Sequence, residues 1–269
     1  MVLPLNEISD WCPEMVPVPA GTFLIGSPDS ERGRLAVEGP RQSVTIKEPF
    51  AVGSYAITID QFAAFTADSG HAVGTTCRQW SGTDWHDRHG SFRSPGFVQT
   101  GNHPAVCVSW EDAMAYVGWL SSRSGKRFRL LTEAEWEYAA RACTMTPFWW
   151  GEAITPNQAN GNFSSKADPN SNGALWRQRT VPVDRFEPNP WGIYQVHGNV
   201  WEWVEDCWSD SHAEASIDGS ARKGPSTCKR VLRGGSWLNR PQGLRSARRH
   251  AAERGLRRSD IGFRVAESV

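Results

Sequence analysis

The last forty residues constrain the architecture of this chain most. Residues 230–237 read RVLRGGSW and residues 261–265 read IGFRV, so both ends combine apolar residues with glycine or tryptophan. The stretch between them, 238–260, follows neither a helical nor a strand period. It mixes cationic, small, polar and apolar side chains. We therefore expect two paired strands that form a rigid frame and hold an irregular binding surface.

The composition indicates one folded, loop-rich domain. The chain has 269 residues, of which 39% are hydrophobic and 22% charged, which suits a packed core. Its 14 tryptophans, 25 glycines and 17 prolines favour many turns anchored by bulky side chains. Without a recognisable linker or internal repeat, the sequence predicts a single α+β domain over residues 1–269.

Charge and hydropathy exclude several classes of protein. The formal net charge is zero, which argues against general nucleic-acid binding. Residues 229–264 are nevertheless rich in arginine and contain only two acids, so a local cationic face is expected there. No apolar run is long enough for a membrane-spanning helix, and the N-terminus does not resemble a secretory signal. We therefore expect a cytoplasmic protein.

The six cysteines do not indicate a zinc site, because none of them forms a C-x-x-C pair. In a cytoplasmic protein of this size they are expected to be reduced. Cys207 and Cys228 flank one polar loop, which makes them the first pair to test for a disulfide.

Local patterns predict the main elements. Ser109 and Thr132 each precede an acidic residue by three positions, as in a capping box, and Gly125 is expected to end the first of these helices. Thr58 is a candidate cap for another helix. Residues 74–101 are polar and are interpreted as a long loop. Strands or strand-like runs are expected at 15–25, 43–46, 50–59, 181–183, 192–196, 231–237 and 261–266.

Six segments in order resemble the formylglycine-generating enzyme (sulfatase-modifying factor) family. They are VPVPAGTF at 16–23, HPAVCVSW at 103–110, LTEAEWEY at 131–138, GNVWEW at 198–203, RGGSW at 233–237 and IGFR at 261–264. The resemblance covers nearly the whole chain. It implies a C-type-lectin-like fold of the formylglycine-generating-enzyme type, with little regular secondary structure.

The resemblance does not carry the family's activity with it. Members that oxidise sulfatase cysteines have two cysteines shortly after the Gly-Gly-Ser motif, and they bind copper. The matching positions here hold Asn239 and Leu244, and no cysteine follows Cys228. Copper is therefore not expected. A metal-dependent oxidase or oxygenase with other ligands is kept as the alternative function.

The histidines do not form an obvious metal site. The related sulfoxide synthases bind iron through three histidines, partly on an additional helical domain for which this chain has no room. His86 and His89 lie in the polar stretch and are interpreted as solvated. His103 and His197 stand beside motif residues and are expected to make structural hydrogen bonds. His250 lies in the irregular segment, where it can contact a ligand.

The family resemblance also implies structural calcium. Carbonyl, amide and carboxylate oxygens suit this hard cation. The alternative is that Glu202 only hydrogen-bonds to the backbone. The residues implied as ligands are Asn160 and Gly161 for one site, and Gln195, Gly198, Val200 and Glu202 for another.

The final segment is similar to the variable proteins of diversity-generating retroelements, which use the same lectin-like scaffold. In those systems AAC codons for asparagine become NNC codons. We expect the compatible residues, together with Gln242, to project onto one exposed face within a ligand-binding segment at 230–265. The NNC-compatible residues are Leu238, Asn239, Arg240, Gly243, Arg248, His250, Ala252, Leu256, Arg258, Ser259 and Asp260.

The sequence thus favours a non-enzymatic ligand-binding protein with a diversified surface site and an unknown protein or surface ligand as its partner. NNC codons cover fifteen amino acids, so codon compatibility alone discriminates weakly, and Gln242 and Glu253 fall outside this set. Besides the oxidase, one more alternative stays open. It is an undiversified paralogue whose arginine-rich loop is a solvated, salt-bridged face.

Overall fold

The computed structural model describes residues 11–164, 175–213 and 215–268, so the N-terminal residues, which do not resemble a secretory signal, lie outside these ranges. Its three α-helices are α1 (Ile59–Ser69), α2 (Trp110–Ser124) and α3 (Glu133–Arg141). None of the helices in the described part of the chain has the length and apolar character needed to cross a membrane.

Twelve strands within those ranges form two sheets and two hairpins. The first sheet has the order β1-β4-β12-β7, the second β10-β9-β8-β11, and β2-β3 and β5-β6 are hairpins. The strands are β1 (Met15–Val18), β2 (Gly21–Ile25), β3 (Gln42–Ile46), β4 (Phe50–Gly53), β5 (Thr76–Trp80), β6 (Trp85–His89), β7 (Arg127–Leu130), β8 (Trp201–Cys207), β9 (Arg230–Arg233), β10 (Arg249–Ala252), β11 (Ile261–Phe263) and β12 (Val265–Ser268).

The helices begin where the sequence predicts. Thr58, Ser109 and Thr132 each accept a hydrogen bond from the backbone N–H three residues later, and the side chain of that later residue accepts from the cap's own N–H. These reciprocal bonds satisfy two backbone donors at each helix start. Gly125 ends α2 with a φ of 74°, a left-handed conformation that glycine adopts without strain.

Two apolar cores hold the elements together. One includes Phe62 of α1, Tyr116 of α2 and Phe263 of β11, which are packed edge to face or stacked with ring centroids 5.4 to 6.2 Å apart. The other packs α3 and the β2-β3 hairpin against the first sheet and includes Val52 and Trp136. The second sheet and its loops are thereby fixed to both cores.

Residues 74–101 are not one long loop, because 76–89 form the β5-β6 hairpin. Trp80 and Trp85 pair across it with ring centroids 5.4 Å apart, and Arg78 forms an ion pair with Asp87 across the same strands. Such cross-strand pairs stabilise a hairpin whose faces carry few apolar residues.

Three other strand predictions also need correction. The strand expected at 50–59 ends at Gly53, because Thr58 caps α1. Residues 181–183 and 192–196 form no strand. The Asn199 side chain both accepts from Val181 N and donates to Val181 O, at 2.9 and 3.1 Å, so Val181 needs no strand partner. Asn189 likewise accepts from the N–H of Ile193.

The two ends of the arginine-rich segment share a sheet but do not pair. β11 lies parallel to β8, which separates it from β9, and β9 pairs antiparallel with both β8 and β10. β10 is an edge strand that lies within residues 238–260, where the sequence shows no strand period. The frame is therefore a three-stranded support, β9-β8-β11, with β10 added at its edge.

Two disulfides cross-link the described chain. Cys207–Cys228 is the pair singled out from the sequence, and Cys77–Cys107 joins β5 to the loop before α2. Cys12 and Cys143 are free thiols. The prediction that the cysteines are reduced is therefore wrong for four of the six.

Candidate functional site

Several of the ten arginines of residues 229–264 lie in the protein interior instead of on a cationic face. Four of them are at most 2% exposed and lie in ion pairs with glutamates, so the predicted cationic face is wrong for these four. The pairs are Arg233 with Glu137, Arg245 with Glu38, Arg249 with Glu133 and Arg264 with Glu202. A buried charge requires such a partner.

The Arg249–Glu133 pair is typical of these contacts. Nε and Nη2 of Arg249 donate to the two oxygens of Glu133, each at 2.7 Å. Burial opposes ionisation of Glu133, but the charges of Arg249 and Arg233 outweigh it and keep its pKa below the usual value. Burial and the nearby Glu133 raise the pKa of Asp206 to about 7. The pair thus anchors β10 to α3.

Asn239 and Leu244, which the resemblance matches to the two cysteines of the family's oxidases, have structural roles here. Oδ1 of Asn239 accepts from the N–H of Ser236 at 2.9 Å and so holds the turn after the Gly-Gly-Ser motif. Leu244 is fully buried and packs with Phe148 and Phe163. Neither side chain can supply a thiolate, so neither favours a copper site of the kind that the family's oxidases have.

His197 supports the same loop, as predicted. Its Nε2 accepts from Trp149 N at 3.1 Å, so its Nδ1 is the nitrogen that donates to the carbonyl of Leu244 at 2.8 Å. Burial lowers the pKa of His197 to about 3, so the ring is neutral near pH 7. His103 hydrogen-bonds to Thr180, whereas the side chains of His86 and His89 are exposed.

The predicted ligand-binding residues divide into two groups. The expectation of one exposed face is wrong for Ala252, Ser259 and Asp260, which are at most 5% exposed. Ala252 belongs to the apolar core, and Asp260 accepts from the Ser236 hydroxyl at 2.7 Å. The exposed or half-buried residues are Leu238, Asn239, Arg240, Gln242, Gly243, Arg248, His250, Leu256 and Arg258.

We define the binding patch as Leu238, Arg248, His250, Arg258 and Trp85. The Arg258 guanidinium lies 4.7 Å from the Trp85 ring centroid and donates to Asp260 at 2.6 Å. The His250 ring packs on the Trp201 ring with centroids 5.6 Å apart. Burial and the positive charges of Arg258 and Arg248 lower the pKa of His250 to about 4. Leu238 N donates to Ser236 Oγ, which also bonds to Asp260. The patch therefore rests on buried polar contacts.

The contacts of Glu202 do not favour calcium at Gln195, Gly198 and Val200. Both Glu202 oxygens accept from Arg264 at 2.7 Å, and one also accepts from Trp136 Nε1. The reading in which Glu202 bonds only to backbone is therefore wrong. Arg264 already neutralises the Glu202 carboxylate, which lies at the start of β8.

The Asn160 side chain offers one free acceptor. Its Nδ2 donates to Arg179 O and Asn199 Oδ1, while its Oδ1 is buried and has no hydrogen-bond partner among the described residues. Gly161 leaves no room for a side chain, because a Cβ there would lie 2.5 Å from Leu244 Cδ1. Within the described ranges no three histidine, cysteine or acidic residues are grouped as in a metal site. A neutral amide oxygen alone fits calcium poorly, so calcium here stays a prediction.

Comparison with known proteins agrees with the resemblance. The sulfatase-modifying factor enzyme 1-like domain matches residues 4–269. The formylglycine-generating enzyme of Thermomonospora curvata is 37% identical over 272 residues, which cover 88% of this chain and 86% of that protein.

Among solved structures, PvdO from Pseudomonas aeruginosa is 37% identical, with a TM-score of 0.84 and coverage of 97% of this chain and 96% of that one. Treponema denticola variable protein 1 is 23% identical, with a TM-score of 0.64 and 94% coverage of both chains, which shows a shared fold. The fold is α+β and C-type-lectin-like, and the chain belongs to the sulfatase-modifying factor enzyme 1-like family, the family of formylglycine-generating enzyme.

Proposed function

We propose that this protein is a non-enzymatic ligand-binding member of the family, which presents the binding patch to a protein or surface ligand. One observation carries the proposal. Where the family's oxidases have cysteines, Asn239 holds a turn and Leu244 fills the core, whereas Leu238, Arg248 and His250 nearby remain accessible.

The patch has the chemistry and the rigidity that recognition requires. Arginine and aromatic side chains contribute strongly to many protein interfaces, and Arg258 and Trp85 are already stacked in the free protein. Beneath them, Trp237 donates to Ser259 O at 3.3 Å and packs edge to face on Phe97. A surface held in this way loses little conformational entropy on binding.

The burial of several residues limits the positions at which the proposed diversification is compatible with folding. Ala252, Ser259 and Asp260 are buried, and Arg258 neutralises Asp260, so free variation at these four positions would disturb the frame. We propose that variation is confined to accessible positions, one of which, Arg248, also contacts the buried Glu38 carboxylate at 3.8 Å. These positions are Leu238, Arg240, Arg248 and His250.

Two matched libraries test this proposal. One randomises Leu238, Arg240, Arg248 and His250, and the control library randomises Ala252, Arg258, Ser259 and Asp260. Most members of the first should keep protease resistance, because accessible substitutions usually change stability by about 0.5 kcal/mol or less. Most members of the second should lose it. Equal survival of the two libraries would show that the patch is not a tolerant surface.

The second candidate function is the metal-dependent oxidase, which the 37% identity to formylglycine-generating enzyme favours. Elemental analysis of protein purified from copper- and iron-supplied cells should find both metals far below one ion per chain. The Asn239→Cys/Leu244→Cys variant is the control, since a thiolate pair should gain copper(I). Stoichiometric copper or iron in the unaltered protein would instead support the oxidase. The same analysis reports whether calcium is bound.

A further inference from the structure

The protein also has a cavity that shares no lining residue with the binding patch. It has a volume of about 370 Å³ and lies between the β2-β3 hairpin and the turn that follows α3. Leu24 and Met145 line it and are 39% and 63% exposed, respectively. An apolar cavity of this size suits a small organic molecule.

Tyr138 gives the cavity a fixed hydroxyl group. The side chain is only 5% exposed, and its ring packs on Phe23 and Trp191 at 5.1 and 5.0 Å. Its hydroxyl has no hydrogen-bond partner among the described residues, although it lines the cavity. At Gly21 a Cβ would lie 2.3 Å from this oxygen, so only glycine leaves the hydroxyl its position. The hydroxyl is open to the cavity, where a ligand can supply its hydrogen-bond partner.

Arg41 provides a cation without a counter-ion. Among the described residues it has no ion-pair partner, and its Nε is buried without an acceptor. Arg141 lines the same cavity but is fully engaged by Glu137, Thr146 O and Gly26 O. A guanidinium group binds carboxylates through paired, charge-assisted hydrogen bonds, so Arg41 favours an organic anion.

The two polar groups mark opposite ends of the cavity. The Tyr138 hydroxyl lies at Gly21, and Arg41 precedes Gln42, which pairs with Ile25 at the other end of β2. Gly21 and Ile25 are four residue steps apart in β2, which corresponds to roughly 13 Å. The long side chain of Arg41 can reach back along the strand, so the distance between the two polar groups is shorter. The ligand therefore needs a polar group at each end and an apolar body between them.

We propose that this cavity binds a small aromatic carboxylate that carries a hydroxyl group at its far end. The carboxylate lies on Arg41, the far hydroxyl hydrogen-bonds to Tyr138, and the ring packs among Phe23, Leu24 and Met145. The proposal is independent of the binding patch and of what the patch recognises.

The probe is 4-hydroxyphenylacetate, compared with phenylacetate, which lacks the hydroxyl, and 4-hydroxyphenylacetamide, which lacks the charge. Cys143 reports occupancy, because its exposed thiol lines the cavity. All proteins carry Cys12→Ser, so Cys143 is the one free thiol left in the described chain. The rate of its alkylation by iodoacetamide is measured against probe concentration, and calorimetry gives the affinity.

We expect saturable protection by 4-hydroxyphenylacetate and a loss of affinity of roughly tenfold or more in Arg41→Gln. Tyr138→Phe should lower the affinity for 4-hydroxyphenylacetate several-fold and leave the affinity for phenylacetate unchanged. Arg32→Gln, at an exposed arginine outside the cavity, is the control and should bind normally. Absence of saturable protection, or equal affinity in Arg41→Gln and Arg32→Gln, would overturn the proposal. Thermal melting confirms that each variant is folded.

Discussion

Replacement of Arg264 by leucine is expected to lower the free energy of unfolding by about 3–5 kcal/mol. Arg264 is 1% exposed, and it donates to both oxygens of Glu202 and to the carbonyls of Gly53 and Tyr194. The variant leaves the Glu202 carboxylate buried without a cation and two backbone carbonyls without their arginine donor. Urea unfolding measures the effect.

Two further variants identify the cause of that loss. In Arg264→Leu/Glu202→Gln the buried charge is gone while an acceptor for Trp136 remains, so part of the stability should return. Arg32→Leu removes an exposed arginine and should change stability by about 0.5 kcal/mol or less. If Arg264→Leu were as mild as Arg32→Leu, the arginine pairs would not hold the frame.

Removal of either disulfide should cost about 3–4 kcal/mol of stability. Cys207–Cys228 and Cys77–Cys107 close loops with sequence separations of 21 and 30 residues, and each closure restricts the unfolded chain. Paired serine variants are compared with the parent by guanidinium unfolding. Cys12→Ser and Cys143→Ser, at the free thiols, are the controls and should change little.

A count of free thiols on the unreduced protein decides whether this prediction applies. Two reactive thiols are expected after denaturation without reductant, one from Cys12 and one from Cys143. Six would contradict both disulfides. Because disulfides persist mainly in oxidising compartments, the two pairs favour such a compartment over the cytoplasm expected from the sequence.

The sequence predicts the elements whose causes are local. The capping boxes at Thr58, Ser109 and Thr132 lie within four residues of chain, and all three start helices. The β5-β6 hairpin is missed because contacts across it, such as Trp80 with Trp85, stabilise it in place of an apolar stripe. Residues 181–183 are overpredicted because Asn199, distant in sequence, replaces a strand partner.

The site is predicted less well, because its determinants are distant in sequence. The prediction of a cationic face is wrong because the arginines pair with glutamates far away in the sequence. Arg245 binds Glu38, 207 residues away, and Arg249 binds Glu133, 116 residues away. The zero net charge and the cluster of glutamates at 133–137 are the available signals for such partners. The burial of Asp260 and the contribution of Trp85 to the patch have no comparable local signal.

A comparison of the coding DNA of residues 238–260 with the DNA that flanks the gene tests whether the binding patch is diversified. We expect a near-identical repeat close by, which differs at adenines, and a neighbouring reverse-transcriptase gene. The differences should change the codons of Leu238, Arg240, Arg248 and His250 and spare those of Ala252, Ser259 and Asp260. Absence of such a repeat, or differences spread equally over accessible and buried positions, would contradict a diversified binding patch.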